Sequence, residues 1–251
     1  MITIKIKMKK ILICLSMALT ISLQAQTIKI AAAGNLRFIL DDIKTKYAII
    51  NPKVNIVVNL GSSGALFQQI TNGADFDVFM AADKIYPDKL KAQGMVSGEV
   101  KTYAFGKLVI WSNSVDVSKG LDILTEKSVK RIAIAKPEVA PYGARAVECL
   151  KYYQLFDKVK DKIVYADNIA QTAQFAQTGN AEVGFLALAL VMSPEMKGTY
   201  YVLDTKSYKP VEQAMVLMKS WQSNPEAAKF MKFVLSSDCK PLFEKYGFMV
   251  P

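Results

Sequence analysis

The sequence predicts an α/β fold with largely parallel sheets. Strand-length apolar runs recur from Ile28 to Met218. Between them, apolar residues fall at helical spacing. Several of these runs lead straight into small or hydroxyl residues where a helix begins, as in Ala33-Gly34-Asn35 and Gly61-Ser62-Ser63-Gly64. Alternation of this kind is the pattern of strand–helix–strand units.

In chain order, residues 1–25 come first and read as a targeting segment. Lys5, Lys7, Lys9 and Lys10 form a basic start, and Ile11 to Leu23 is apolar but short for a bilayer span. Ala25 offers a small residue for cleavage before Gln26, the pattern of a secretory signal peptide. Leu23 departs from the small residue usual two positions before the cut, and bulky Ile13 before Cys14 argues against a lipid anchor. The mature protein is therefore expected outside the cytoplasm. Loss of the four lysines lowers the formal net charge of +10 by four, to +6. The remaining lysines are scattered, with no basic run interleaved with aromatics, which argues against a nucleic-acid partner.

Strand Ile28–Ala33 leads into a helix with Leu36, Ile39, Leu40, Ile43 and Tyr47 on one face and Arg37, Asp41, Asp42, Lys44 and Lys46 on the other. Strand Val54–Leu60 leads into a second helix, which places Leu66, Phe67 and Ile70 together and stops near Gly73. Strands then fit Asp77–Ala82, Lys107–Trp111, Arg131–Ala135, Val183–Ala187, Tyr200–Leu203 and Glu212–Met218. Helices fit Ala144–Tyr153, Ile169–Thr178 and Glu226–Ser236. No Gly/Ser- or Pro-rich linker divides the chain, so one large domain and two strand-joined lobes both agree with the pattern.

Four strand-to-helix junctions concentrate the functional signal. A helix start has unpartnered N–H groups and the positive end of the helix dipole, so it is a place to hold an anion. The first two junctions are those at Gly34-Asn35 and Ser62-Ser63. The third is Pro141-Tyr142-Gly143, and the fourth is Asp167-Asn168 before Ile169, where either polar residue can cap the helix. In open α/β sheets ligands bind beyond the carboxyl ends of the strands, where all four junctions lie.

Catalysis has little to work with. The chain has no histidine, so the commonest general base is absent. No Cys-x-x-Cys pair exists, and without histidine no zinc set can be assembled. Asp75 and Asp77 read as the start of a strand, Asp41 and Asp42 as a solvated helix face. Ser237-Asp238-Cys239-Lys240 falls at a helix end rather than before a strand-end cleft. Trp111 and Trp221 read as packing residues, and the methionines as scattered gap fillers. Cys149 and Cys239 remain after processing; a disulfide and two buried thiols fit equally.

Taken together, Ala31-Ala32-Ala33-Gly34-Asn35-Leu36, Gly61-Ser62-Ser63-Gly64, Phe76-Asp77-Val78-Phe79-Met80-Ala81-Ala82-Asp83, Pro141-Tyr142-Gly143 and Val183-Gly184-Phe185-Leu186-Ala187-Leu188 come in the order seen in periplasmic molybdate-binding proteins, the solute receptors of ABC importers. The resemblance extends to Phe243-Glu244-Lys245-Tyr246-Gly247-Phe248. It implies a type II binding-protein fold, with two α/β lobes joined by two crossover strands that form a hinge. Lobe 1 would hold residues 26–104 plus 204–251 and lobe 2 residues 105–203. It also implies a periplasmic monomer that binds molybdate or tungstate between the lobes, carries no cofactor, and serves a membrane permease.

The resemblance places the ligand on Gly34, Asn35, Ser62, Ser63, Tyr142 and Ile169. Asn35 would supply an amide donor, Ser63 its hydroxyl and backbone N–H, and Tyr142 and Ile169 their backbone N–H. Gly34 stands where many relatives carry a hydroxyl, and Ala187 where some carry a tyrosine. A bare dianion accepts hydrogen bonds and cannot donate, so these neutral donors suit it, and molybdenum or tungsten would be held only through its oxygens. The rival reading is an exported phosphate-handling hydrolase or transferase using the same anion nest, and it lacks a visible base or metal set. A receptor-type sensory protein is a third, and it lacks a signalling domain.

Overall fold

The structure is a computed structural model that describes residues 26–219 and 224–251. The targeting segment with Cys14, and Trp221, lie outside the described residues. Strands β1 (Gln26–Ala33), β2 (Val54–Gly61), β3 (Val78–Ala81) and β4 (Val96–Gly106) alternate with helices α1 (Arg37–Ile50), α2 (Ser63–Thr71) and α3 (Ile85–Ala92). Next come β5 (Leu108–Ser112), β6 (Ile132–Ala135), β7 (Ile163–Ala166), β8 (Val183–Ala187) and β9 (Thr199–Val202), with α4 (Pro141–Tyr152), α5 (Phe156–Val159), α6 (Ile169–Gln177) and α7 (Leu188–Val191). The chain returns through β10 (Val211–Met218) and ends in α8 (Pro225–Val234) and α9 (Lys240–Lys245).

Two five-stranded sheets result, with strand orders β2-β1-β3-β10-β4 and β7-β6-β8-β5-β9. They form a two-lobed α/β architecture. The sheets are mixed rather than largely parallel. In the first, β1 pairs parallel with β2 and β3 while β10 runs antiparallel to β3 and β4. In the second, β6 pairs parallel with β7 and β8 while β5 runs antiparallel to β8 and β9. A chain that leaves one sheet through β4 and comes back through β10 must reverse direction there, and alternation of strand and helix does not report that reversal.

Register explains how the parallel halves make a site. Ala33 of β1 is opposite Gly61 of β2, so the turns at Gly34 and Ser62 start side by side. Ala135 of β6 is opposite Ala166 of β7, which aligns the loops that follow them. Each lobe has its own core. In lobe 1, Ile39, Leu40, Ile43 and Tyr47 of α1 pack with Ile28, Ile30 and Phe230, the Tyr47 and Phe230 rings meeting edge to face at 5.2 Å. On the opposite face Leu66, Ile70 and Leu90 cover Phe79. In lobe 2, Trp111, Ile134, Leu150 and Phe185 share one cluster. A large side chain buried in this way contributes about 1.5–3 kcal/mol.

Cys149 and Cys239 are buried free thiols in different cores. Asp77 is structural: its Oδ2 accepts from Lys29 N at 2.7 Å and from Asn224 Nδ2 at 3.1 Å, while Asp75 pairs with Lys29 Nζ at 2.7 Å. Asp42 is more than a solvated residue, because its Oδ2 receives Lys245 Nζ at 2.7 Å and Tyr246 Oη at 3.1 Å. Those two contacts tie α1 to the C-terminal helix. Among the described residues no helix is long and apolar enough to cross a membrane.

Candidate functional site

The site is where helix starts from the two lobes converge. One cavity is lined by Gly34, Asn35, Ser62, Ser63, Tyr142 and Ile169, all six residues singled out in the sequence, together with Ala33, Gly61, Ala82, Ala140 and Pro141. Its free space is small, on the order of a single water molecule, and too little for a sugar or an amino acid. The lining has no Asp, Glu, Lys or Arg.

From lobe 1, Ser62 is the N-cap of α2, and its Oγ accepts from Ala65 N at 3.4 Å. Ser63 Oγ accepts from Ala82 N at 2.9 Å. A hydroxyl that accepts from one side still has its own proton to give. Gly64 N donates to Val139 O of lobe 2 at 2.8 Å, and Tyr86 Oη donates to Glu138 O at 3.2 Å. The lobes are therefore in contact across the cleft. Gly64 is required for that approach, because a Cβ there would stand 2.5 Å from Tyr86 Oη and 2.9 Å from Val139 Cα. Gly34 faces α6, with Ala170 Cβ 3.3 Å from where its own Cβ would be.

Lobe 2 contributes backbone. Helix α4 starts at Pro141, three residues before the start read from the sequence, with proline in its first turn, where a missing N–H costs nothing. Gly143 lets that turn press onto the end of β6; its Cβ would fall 1.9 Å from Ala135 O. Of the two capping candidates at the fourth junction, the structure selects Asn168. Its Oδ1 accepts from Ala170 N and Gln171 N, both at 3.0 Å. Ile169, the first residue of the helix so capped, lines the cavity. Asp167 instead pairs with Lys136 Nζ at 2.6 Å. Ala187 is buried at the end of β8 and does not line the cavity.

Asn35 differs from expectation. Its Nδ2 donates to Gln213 Oε1 at 2.9 Å, and its buried Oδ1 has no partner among the described residues. Gln213 in turn donates from Nε2 to Tyr142 Oη at 3.0 Å. Burial pushes the Tyr142 phenol far above its ordinary pKa, so it stays protonated. Gln213 was not read from the sequence, since it sits inside an apolar strand run; its one signal is that a lone amide there needs a partner. Outside the cavity, Asp83 lines the adjoining rim with Lys89 and Arg145. Burial raises its carboxyl to about 6, against the opposing pull of the Tyr86 N–H and Arg145. Among the described residues no cluster of three or more Cys, Asp or Glu could hold a metal ion.

Residues 28–249 match the model of the family described as bacterial extracellular solute-binding protein. The chain belongs to that family. A curated relative, the molybdate-binding protein ModA of Azotobacter vinelandii, is 34% identical over 229 residues, 90% of either chain. The molybdate-binding protein ModA of Rhodobacter capsulatus is 37% identical over 193 residues, 75% of either chain. Among solved structures, the periplasmic molybdate-binding protein of Azotobacter vinelandii superposes with a TM-score of 0.84 at 31% identity, covering 89% of this chain and 99% of that one. These relatives are solute-binding proteins, and as a solute-binding protein this chain is not an enzyme.

Proposed function

We propose that this solute-binding protein is the periplasmic receptor of an ABC importer and binds molybdate, with tungstate as a substitute, between its lobes. The observation that carries the reading is which residues line the cavity: Gly34, Asn35, Ser62, Ser63, Tyr142 and Ile169 at four helix or turn starts, with no charged side chain among them. A carboxylate would repel a dianion. A lysine or arginine would hold phosphate, sulfate and molybdate with little distinction and would slow release. Neutral donors avoid both. Each charge-assisted hydrogen bond contributes about 1.5–3 kcal/mol, so several dipoles suffice. The names of the relatives support molybdate as the guest.

In this reading Gly34, Asn35, Ser62, Ser63, Tyr142 and Ile169 hold the ion. Sulfate is smaller, so a cleft closed to fit molybdate leaves it stretched contacts. The two lobes comprise residues 26–104 plus 204–251 and residues 105–203, and they act as a monomer that closes on its guest and presents that closed form to the permease. The chain is exported and its signal peptide is cleaved near Ala25. The test is a thermal-shift screen of the chain from Gln26 with molybdate, tungstate, sulfate, phosphate and thiosulfate. A guest that binds only the folded state raises the melting temperature by mass action. A rise with molybdate and tungstate that exceeds the other three is expected; no rise with either would overturn the reading.

A further inference from the structure

The unpartnered oxygen of Asn35 points to a residue outside the cavity. Asn35 and Gln213 are both fully enclosed. As arranged, Asn35 Nδ2 and Tyr103 Oη both approach Gln213 Oε1 at 2.9 Å, Tyr103 Oη also lies 2.9 Å from Ala81 O, and Gln213 Nε2 donates to Tyr142 Oη. Asn35 Oδ1 is then left over, and Asn35 is one of the residues that line the cavity. The Tyr142 hydroxyl proton has no acceptor in this chain of contacts, and the single Tyr103 proton faces two.

An amide keeps its shape when its oxygen and nitrogen exchange places. Turning the Asn35 and Gln213 amides over together keeps every distance and uses each proton once. Gln213 Nε2 then donates to Asn35 Oδ1 and to Tyr103 Oη, Gln213 Oε1 accepts from Tyr142 Oη, and Tyr103 donates to Ala81 O. The group without a protein partner becomes the Asn35 N–H pair. We propose that Gln213 is a positioning residue that sets the sense of the Asn35 amide, so that Asn35 presents N–H groups to the bound anion. The inference rests on the oxyanion reading above and adds a residue to it. Gln213 sits at a register irregularity of β10, where the chain re-enters the first sheet, and through Tyr142 it links the guest to lobe 2.

The test is Gln213→Glu in the chain from Gln26, with molybdate affinity measured by titration calorimetry from pH 8 to pH 5.5 alongside wild type. An ionised carboxylate only accepts, so it holds Asn35 Nδ2 and turns Oδ1 out. Affinity at pH 8 should fall roughly ten- to hundredfold. A protonated carboxyl regains one of the amide's two donors beside its acceptor oxygen, enough to hold Asn35 Oδ1, so the deficit should shrink as pH falls. The titratable groups facing position 213 are Tyr103 and Tyr142, both kept protonated by burial; Asp83, which acts on Tyr103, titrates in both proteins. An unchanged affinity, or a loss equal at every pH, would overturn the proposal. Absence of molybdate binding in wild type would overturn the oxyanion reading itself. Should the variant not fold, a structure of the wild-type molybdate complex decides. An Asn35 side-chain atom within hydrogen-bond distance of a molybdate oxygen must be nitrogen and supports the proposal; none within reach overturns it.

Discussion

The two halves of the cavity are built by different means. In the proposed reading lobe 1 brings side chains, the Ser62 and Ser63 hydroxyls and the Asn35 amide, all from residues that line the cavity. Lobe 2 brings main chain, the starts of α4 and α6, aimed by Pro141, Gly143 and the Asn168 cap. The first half depends on which side chains are present, so single substitutions can tune it. The second depends on where two helices begin, so in the proposed reading the main-chain donors at 142 and 169 outlast a change of side chain, while the Tyr142 hydroxyl is needed separately for its contact with Gln213. Conserving geometry and conserving chemistry are thus separate tasks, assigned to separate lobes.

Three substitutions sharpen that contrast. Gly143→Ala should have the largest effect, because its new Cβ falls 1.9 Å from Ala135 O and must push α4 off the end of β6. Overpacking of this kind costs about 1–3 kcal/mol, and both urea stability and molybdate affinity should fall. Unchanged values in both would mean the backbone half is not held rigidly. Ser63→Ala removes one donor and leaves the buried Ala82 N–H without its acceptor. Calorimetry should show molybdate binding weakened roughly ten- to hundredfold with the fold retained; wild-type affinity would remove Ser63 from the site.

Asp83→Asn probes the rim rather than the cavity and should have the smallest effect. The Asp83 carboxyl has a folded pKa of about 6 against 3.8 ordinarily, with burial the main cause. The folded state therefore binds this proton more tightly than the unfolded chain does. Below about pH 4 the group costs nothing; between about pH 4 and 6 wild-type stability falls as pH rises; above 6 the cost is constant. The variant should match wild type at low pH and gain a few degrees in melting temperature by pH 7. A difference independent of pH would show that the carboxyl is not held in this way.

Much of the site was legible because its signals are local. A strand followed by Gly-Ser-Ser-Gly or by Pro-Tyr-Gly states a helix start within a few residues, and the ends of β1, β2 and β6 lie close to where periodicity put them. Strand β4 was not legible. Its outward residues Ser97, Gly98, Glu99 and Lys101 break the apolar run, and it forms because β10 pairs with it from more than a hundred residues away. Helices α3 and α9 were not legible either: they are short, and each contains a proline. Gln213 could not be read as part of the site, since its partners Asn35, Tyr103 and Tyr142 come from three distant parts of the chain.

The bond from Gly64 N to Val139 O has a bearing on selectivity. This clasp joins main chain to main chain and never touches the cargo. It rewards shutting by the same amount whichever ion is inside. Discrimination among ions must then come entirely from the handful of groups that do touch the guest, and a substitution that strengthened the clasp would raise affinity for every anion by the same factor and leave the ratios between them unchanged.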